Sequence, residues 1–74
     1  MARLIRLDRT GHTTVAEWAA DDPASREAAV AAFRAELERG MLASVTRDDG
    51  TAEQVRELPA EADLVVLRRP IAGG

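Results

Sequence analysis

Near its carboxyl end the chain carries a short stretch that is apolar at every position, Leu64-Val65-Val66-Leu67. Its shortness and its two β-branched residues make it a strand rather than a helix. A strand that is apolar on both faces belongs in the interior of a sheet, covered on both sides. That demand is severe in a chain of 74 residues, which supports one domain near the lower limit for a single unstapled core. There is no cysteine, so disulfides, thiolate metal sites and thiol nucleophiles are all excluded. The remaining elements must therefore bury themselves around this strand.

Arg3 to Arg9 reads as a first strand, with Ile5 and Leu7 on one face and Leu4 on the other. Thr10-Gly11-His12 is a turn, and Thr13 to Ala19 is a second strand, so the two form an antiparallel hairpin. Asp21-Asp22-Pro23 starts a helix: Asp22 caps free backbone N–H groups and Pro23 suits the first helical position. The helix is expected from Pro23 to Arg39, with Gly40 just past its end. Val30, Phe33 and Leu37 form its apolar stripe beside Ala29, while Glu27, Arg34, Glu38 and Arg39 form the wet side. Met41 to Arg47 is a third strand, Asp48-Asp49-Gly50 a hairpin turn, and Thr51 to Leu58 a polar fourth strand suited to an edge, with Val55 and Leu58 turned inward. After a connecting turn at residues 59–62 comes the last strand, Asp63 to Arg69. The order ββαβββ is that of an α+β roll, one helix on a small mixed sheet. The last strand is expected at its centre, beside the first and parallel to it.

Beyond the apolar run the character changes at once. Arg68 and Arg69 are charged, Pro70 cannot donate to a sheet ladder, and Gly73 and Gly74 carry no side chains. Residues 70–74 read as a slim, flexible tail on a single domain spanning 1–74. All ten basic residues are arginine. The only primary amine is the α-amino group, so the chain is a poor acceptor for acylation.

Other chemistry is thin. The sole histidine, His12, falls in a turn with no serine or cysteine partner, and the pairs Asp21-Asp22 and Asp48-Asp49 are explained by capping and turn formation. No spacing matches a calcium loop or zinc site, so no metal or bound cofactor is expected and the chain is not read as an enzyme. A net charge of −3 and only two aromatics, Trp18 and Phe33, argue against nucleic acid. The sequence shows neither a membrane-spanning run nor a signal-peptide core, and lack of cysteine fits the cytoplasm. Trp18 is expected either in the core or on an open sheet face, where it would anchor a protein partner.

The ββα start, the later polar strand and a final strand ending in Pro-x-x-Gly-Gly resemble the β-grasp, ubiquitin-like proteins. The sulfur-carrier branch is the nearest likeness, as in the small subunit of molybdopterin synthase and its thiamine-pathway relatives. Their last strand runs into a Pro-Pro-Val-x-Gly-Gly tail. Here Pro70, Ile71, Gly73 and Gly74 match it, and Asp63 fits the acidic residue that leads into the strand. Arg69 replaces the first family proline, and Arg68-Arg69 is closer to the basic approach to the diglycine in ubiquitin itself. The specific likeness covers the tail; the hairpin and helix match in order only.

The resemblance implies that the Gly74 carboxylate is the reactive group. An adenylating partner enzyme would activate it with ATP, and a sulfur or nitrogen nucleophile would displace AMP, for sulfur transfer or for conjugation to an acceptor. A protease is a further implied partner. Glycines 73 and 74 would pass a narrow channel, Pro70 would stiffen the root of the tail, Arg68 and Arg69 would pair with carboxylates on the partner, and Ile71 would be held there. The rival reading is a small non-catalytic interaction or structural protein, of the kind phages and mobile elements encode, that binds through an open sheet face or an edge strand.

Overall fold

The computed structural model describes residues 1–59 and 61–70. The elements follow the expected order: β1 (Ala2–Asp8), β2 (Gly11–Trp18), α1 (Pro23–Glu38), β3 (Leu42–Thr46), β4 (Ala52–Val55) and β5 (Leu64–Arg68). They make a small α+β fold, one helix packed on a five-stranded mixed sheet of order β2-β1-β5-β3-β4. The apolar run takes the centre. It lies parallel to β1, with Ile5 opposite Val66, and antiparallel to β3, with Ala43 opposite Leu67. Parallel neighbours cannot be joined by a tight turn, and here β2, α1, β3 and β4 intervene in sequence between them.

Both ends of α1 are chemically closed. The Asp22 carboxylate accepts from the backbone N–H of Ala24 at 3.1 Å and of Ser25 at 3.3 Å. Ser25 also ties the helix to the residue that follows β2, since its hydroxyl oxygen accepts from the Ala19 N–H at 3.1 Å. At the other end Gly40 takes φ +92°, a left-handed conformation that a side chain resists. This lets Gly40 N–H reach the Leu37 carbonyl at 2.9 Å and Met41 N–H reach the Glu36 carbonyl at 3.1 Å. That pair of bonds is the Schellman closure, and Met41 is buried just after it.

The core lies between the helix and one face of the sheet. Leu4, Trp18, Phe33, Val65 and Leu67 are its largest fully buried side chains, packed with Ala29 and Ala43. Val15 has no cross-strand partner in β1, because the register slips between Leu4 and Ile5; Val15 and Ala16 both pack against the core. The opposite face of the sheet carries the alternate residues of the same strands. Ile5 and Val66 are half-buried at its middle, while Leu7, Leu42 and Leu64 are 41%, 38% and 42% exposed. The expectation that β5 is covered on both faces therefore fails. A single helix covers one face only, and the Leu64-Val66 side of the central strand is open.

The fourth strand is shorter than expected. Its ladder with β3 runs only from Ala52 to Val55, although Val55 and Leu58 do pack against the core. Arg47 and Glu53 form an ion pair on this polar edge. Among the described residues no helix is long and apolar enough to cross a membrane.

The two hairpin turns use one device. Asp8 accepts from the Thr10 hydroxyl at 2.6 Å and the Thr10 N–H at 2.8 Å; Asp49 accepts from the Thr51 hydroxyl at 2.6 Å and the Thr51 N–H at 3.0 Å. Bonds to the ionised form hold both carboxyls below the usual carboxylate range, with the hydroxyl bond as the largest cause in each. The stabilisation of each turn is present above the ordinary aspartate range and is lost as pH falls through the depressed native value. In a carbon-13 carboxyl NMR titration, Thr10→Val should move Asp8 back up toward the ordinary value and leave Asp49 unchanged. An Asp8 titration that does not respond to the substitution would exclude this account of the turn.

Candidate functional site

Parallel pairing puts the carboxyl ends of β1 and β5 at the same end of the sheet. Arg6 lies opposite Leu67, so the segment Leu7–Thr10 and the segment Arg68–Pro70 emerge side by side. The last turn of α1 reaches the same place, because the Arg6 guanidinium donates to the Glu36 carboxylate at 2.6 Å. Strand end, strand end and helix end enclose an open groove at the point where β5 leaves the sheet. Its lining includes Arg6, Arg9, Arg39, Arg68 and Arg69, half of the ten arginines in the chain, against the carboxylates of Asp8 and Glu36.

Glu36 is the anomaly that organises the groove. It is only 4% exposed, on the helix side that also buries Phe33. Its second carboxylate oxygen lies 3.8 Å from Arg39, a long contact on the helix surface. A buried carboxylate is tolerated only when it is paired and hydrogen-bonded, and Arg6 meets that need. Both arginines also lie at the negative end of the helix dipole. Substituting Glu36→Ala should cost about 1–2 kcal/mol in urea unfolding, less than the roughly 3–5 kcal/mol of a fully buried pair, because the Arg6 side chain keeps 35% of its exposure and can rehydrate. Replacing both partners, Arg6→Met with Glu36→Leu, should recover most of that loss. A double variant as unstable as the single one would show that the pair is not what holds the helix end to β1.

Arg68, Arg69 and Pro70 of the sequence-derived site are exposed and line this groove. Ile71, Gly73 and Gly74 lie outside the described residues. Trp18 is elsewhere. It is fully buried beneath the helix, so the exposed position in which it would anchor a partner is not the one it occupies, and its role is in the core. His12 is exposed near the start of β2, opposite Leu7. Among the described residues no cluster of three or more histidines and carboxylates could hold a metal ion.

The sequence reading did not identify Arg6, Arg9, Arg39 or Glu36. A signal was there for two of them. Arg6 shares the face of Leu4 on an alternating strand, and Glu36 stands three residues after Phe33 on the buried helix side. Two inward-facing residues of opposite charge on packed elements are a pair in waiting. Chemically the groove offers guanidinium donors for anions; the Thr10 hydroxyl on its rim already donates to Asp8.

No family model, no curated protein and no solved structure matches this chain.

Proposed function

We propose that the chain is a β-grasp, ubiquitin-like carrier or modifier whose Gly74 carboxylate is the substrate of an adenylating enzyme. The carboxylate is either encoded as such or freed by a protease that cuts after Gly74. It attacks the α-phosphorus of ATP on the partner enzyme and pyrophosphate leaves. A sulfur or amine nucleophile then takes the acyl group and releases AMP, giving a thiocarboxylate or an amide on an acceptor protein. The observation that supports this reading is the placement of β5. The central strand, held by ladders on both edges, ends at Arg68, and Arg69 and Pro70 follow it in the sequence that leads to the diglycine. A root fixed in this way limits the freedom lost when the tail enters another active site. This chain's own residues supply the rigid root and the arginine groove around it, and the chemistry belongs to the partner.

Intact-mass spectrometry of the protein from its native host tests the proposal. A thiocarboxylate makes the chain heavier by the difference between one sulfur and one oxygen atom, and conjugation leaves a diglycine remnant on another protein. Unmodified chain alone, with no remnant on any acceptor, would count against it.

A second reading has its own observation. Leu7, Leu42 and Leu64 stand partly exposed on the face that no helix covers. That face suits a protein-interaction module with no reaction at its terminus. Deletion of Gly73 and Gly74 without loss of function would favour it.

A further inference from the structure

We propose that the arginine groove at the exit of β5 is a docking site for a short acidic segment of a partner protein. The proposal names what the partner presents at the root of the tail, and it rests on the carrier reading for its biological setting. The binding itself involves no reaction at Gly74.

Charge carries the inference. Of the arginines in the groove, Arg6 is committed to Glu36. Arg9, Arg68 and Arg69 are exposed and have no ion-pair partner among the described residues, and Arg39, with its side chain 74% exposed, makes only the 3.8 Å contact. Asp8 and Glu36 bring only two negative charges to a lining that holds five arginines. The result is a local excess of cations in a chain whose net charge is −3. Guanidinium groups grouped around one groove, and drawn from three separate elements, match several carboxylates in fixed register better than a single anion.

The rest of the molecule selects a protein segment over a nucleic acid. Trp18 is fully buried and Phe33 is 1% exposed, so neither the indole nor the phenyl ring is offered to a base. Eleven of the thirteen carboxylates lie outside the groove lining, so a long polyanion leaving the groove would meet an acidic surface. A short acidic segment ends before that repulsion begins. Leu7, 41% exposed on the groove wall, adds a patch for an aliphatic side chain within the segment.

The test uses the full chain and a fluorescein-labelled oligoglutamate peptide, read by anisotropy at low salt. Wild-type chain should bind it, and the double substitution Arg9→Glu with Arg69→Glu should weaken binding by on the order of tenfold or more. Arg34→Glu, on the exposed side of the helix, should leave it unchanged. Circular dichroism checks that each variant is folded. Should the double variant misfold, salt provides the second measurement: raising ionic strength to about 0.5 M should abolish wild-type binding through screening. Binding that is indifferent to salt, equal binding by the double variant, or equal affinity for a single-stranded oligonucleotide or for anionic phospholipid vesicles would overturn the proposal. A chain lacking Gly73 and Gly74 should bind the peptide as well as wild type, so failure here and failure of the carrier reading give different results.

Discussion

Trp18→Ala should lower the melting temperature by roughly 15–30 °C and leave much of the chain unfolded at physiological temperature. Trp18 is fully buried and is the largest such side chain in the molecule. It ends β2 opposite Ala2, on the sheet face that α1 covers, and packs in the same cluster as Phe33 and Leu4. Truncating a buried aromatic residue costs about 3–5 kcal/mol, through lost transfer energy and the cavity left behind. A chain of this length has on the order of 4–11 kcal/mol in total, so one substitution removes a large share. Leu64→Ala is the control. Leu64 is the first residue of the central strand but is 42% exposed on the open face, and its loss should stay within about 0.5 kcal/mol. Thermal unfolding followed by circular dichroism separates the two. Equal, small shifts for both would mean that the core does not lie where the fold puts it.

Removing Gly73 and Gly74 should have the reverse profile, with function abolished and the melting temperature unchanged. The fold rests on the ladders between β1, β5 and β3 and on the core between sheet and helix, all built from residues before Arg69. Under the proposed function the reacting group is the Gly74 carboxylate. Shortening the chain by two residues draws that carboxylate back by at most ~7 Å, too far for in-line attack on a nucleotide held in the partner. Reactions of this kind require atoms within about 3–3.5 Å. The expected loss is therefore complete rather than partial. A truncated chain with full activity in its host would remove the carrier reading.

Much of the fold was legible because local signals agreed with each other. Asp22-Pro23 and Gly40 bracket the helix within a residue of its observed ends, since capping is chemistry between neighbours in sequence. The apolar run that includes Val65 and Leu67 called for an interior place for β5, and a right-handed crossover made a parallel place beside β1 possible. The apolar run by itself does not say how many of its faces are covered. The run Leu64-Val65-Val66-Leu67 looks the same whether one or both faces are covered, and only the presence of a single helix leaves the Leu64 side open. The fourth strand was overextended for a related reason. Residues 56 to 58 have strand-like alternation, but β3 begins at Leu42, so the register that sets Ala43 opposite Val55 leaves no β3 residue opposite 57 and 58.

The candidate site was legible only along the chain, not across it. Arg68, Arg69 and Pro70 were visible as the approach to a diglycine. Arg6, Arg9 and Arg39 belong to the same groove through the parallel pairing of β1 with β5 and the reach of α1, which no local pattern encodes. Trp18 illustrates the opposite limit. An aromatic at the end of an edge strand can turn inward or outward, and its register with Ala2 on the helix-covered face decides the matter.

The most direct measurement of the central claim is ATP–pyrophosphate isotope exchange in a cleared lysate of the native host, with purified full-length chain added. Reversible formation of an acyl-adenylate at Gly74 should give exchange that depends on the added chain and disappears when Gly73 and Gly74 are deleted or the terminal carboxylate is amidated. Exchange that is the same with the intact chain, the truncated chain and the amidated chain would contradict the claim that β5 delivers a carboxylate for activation.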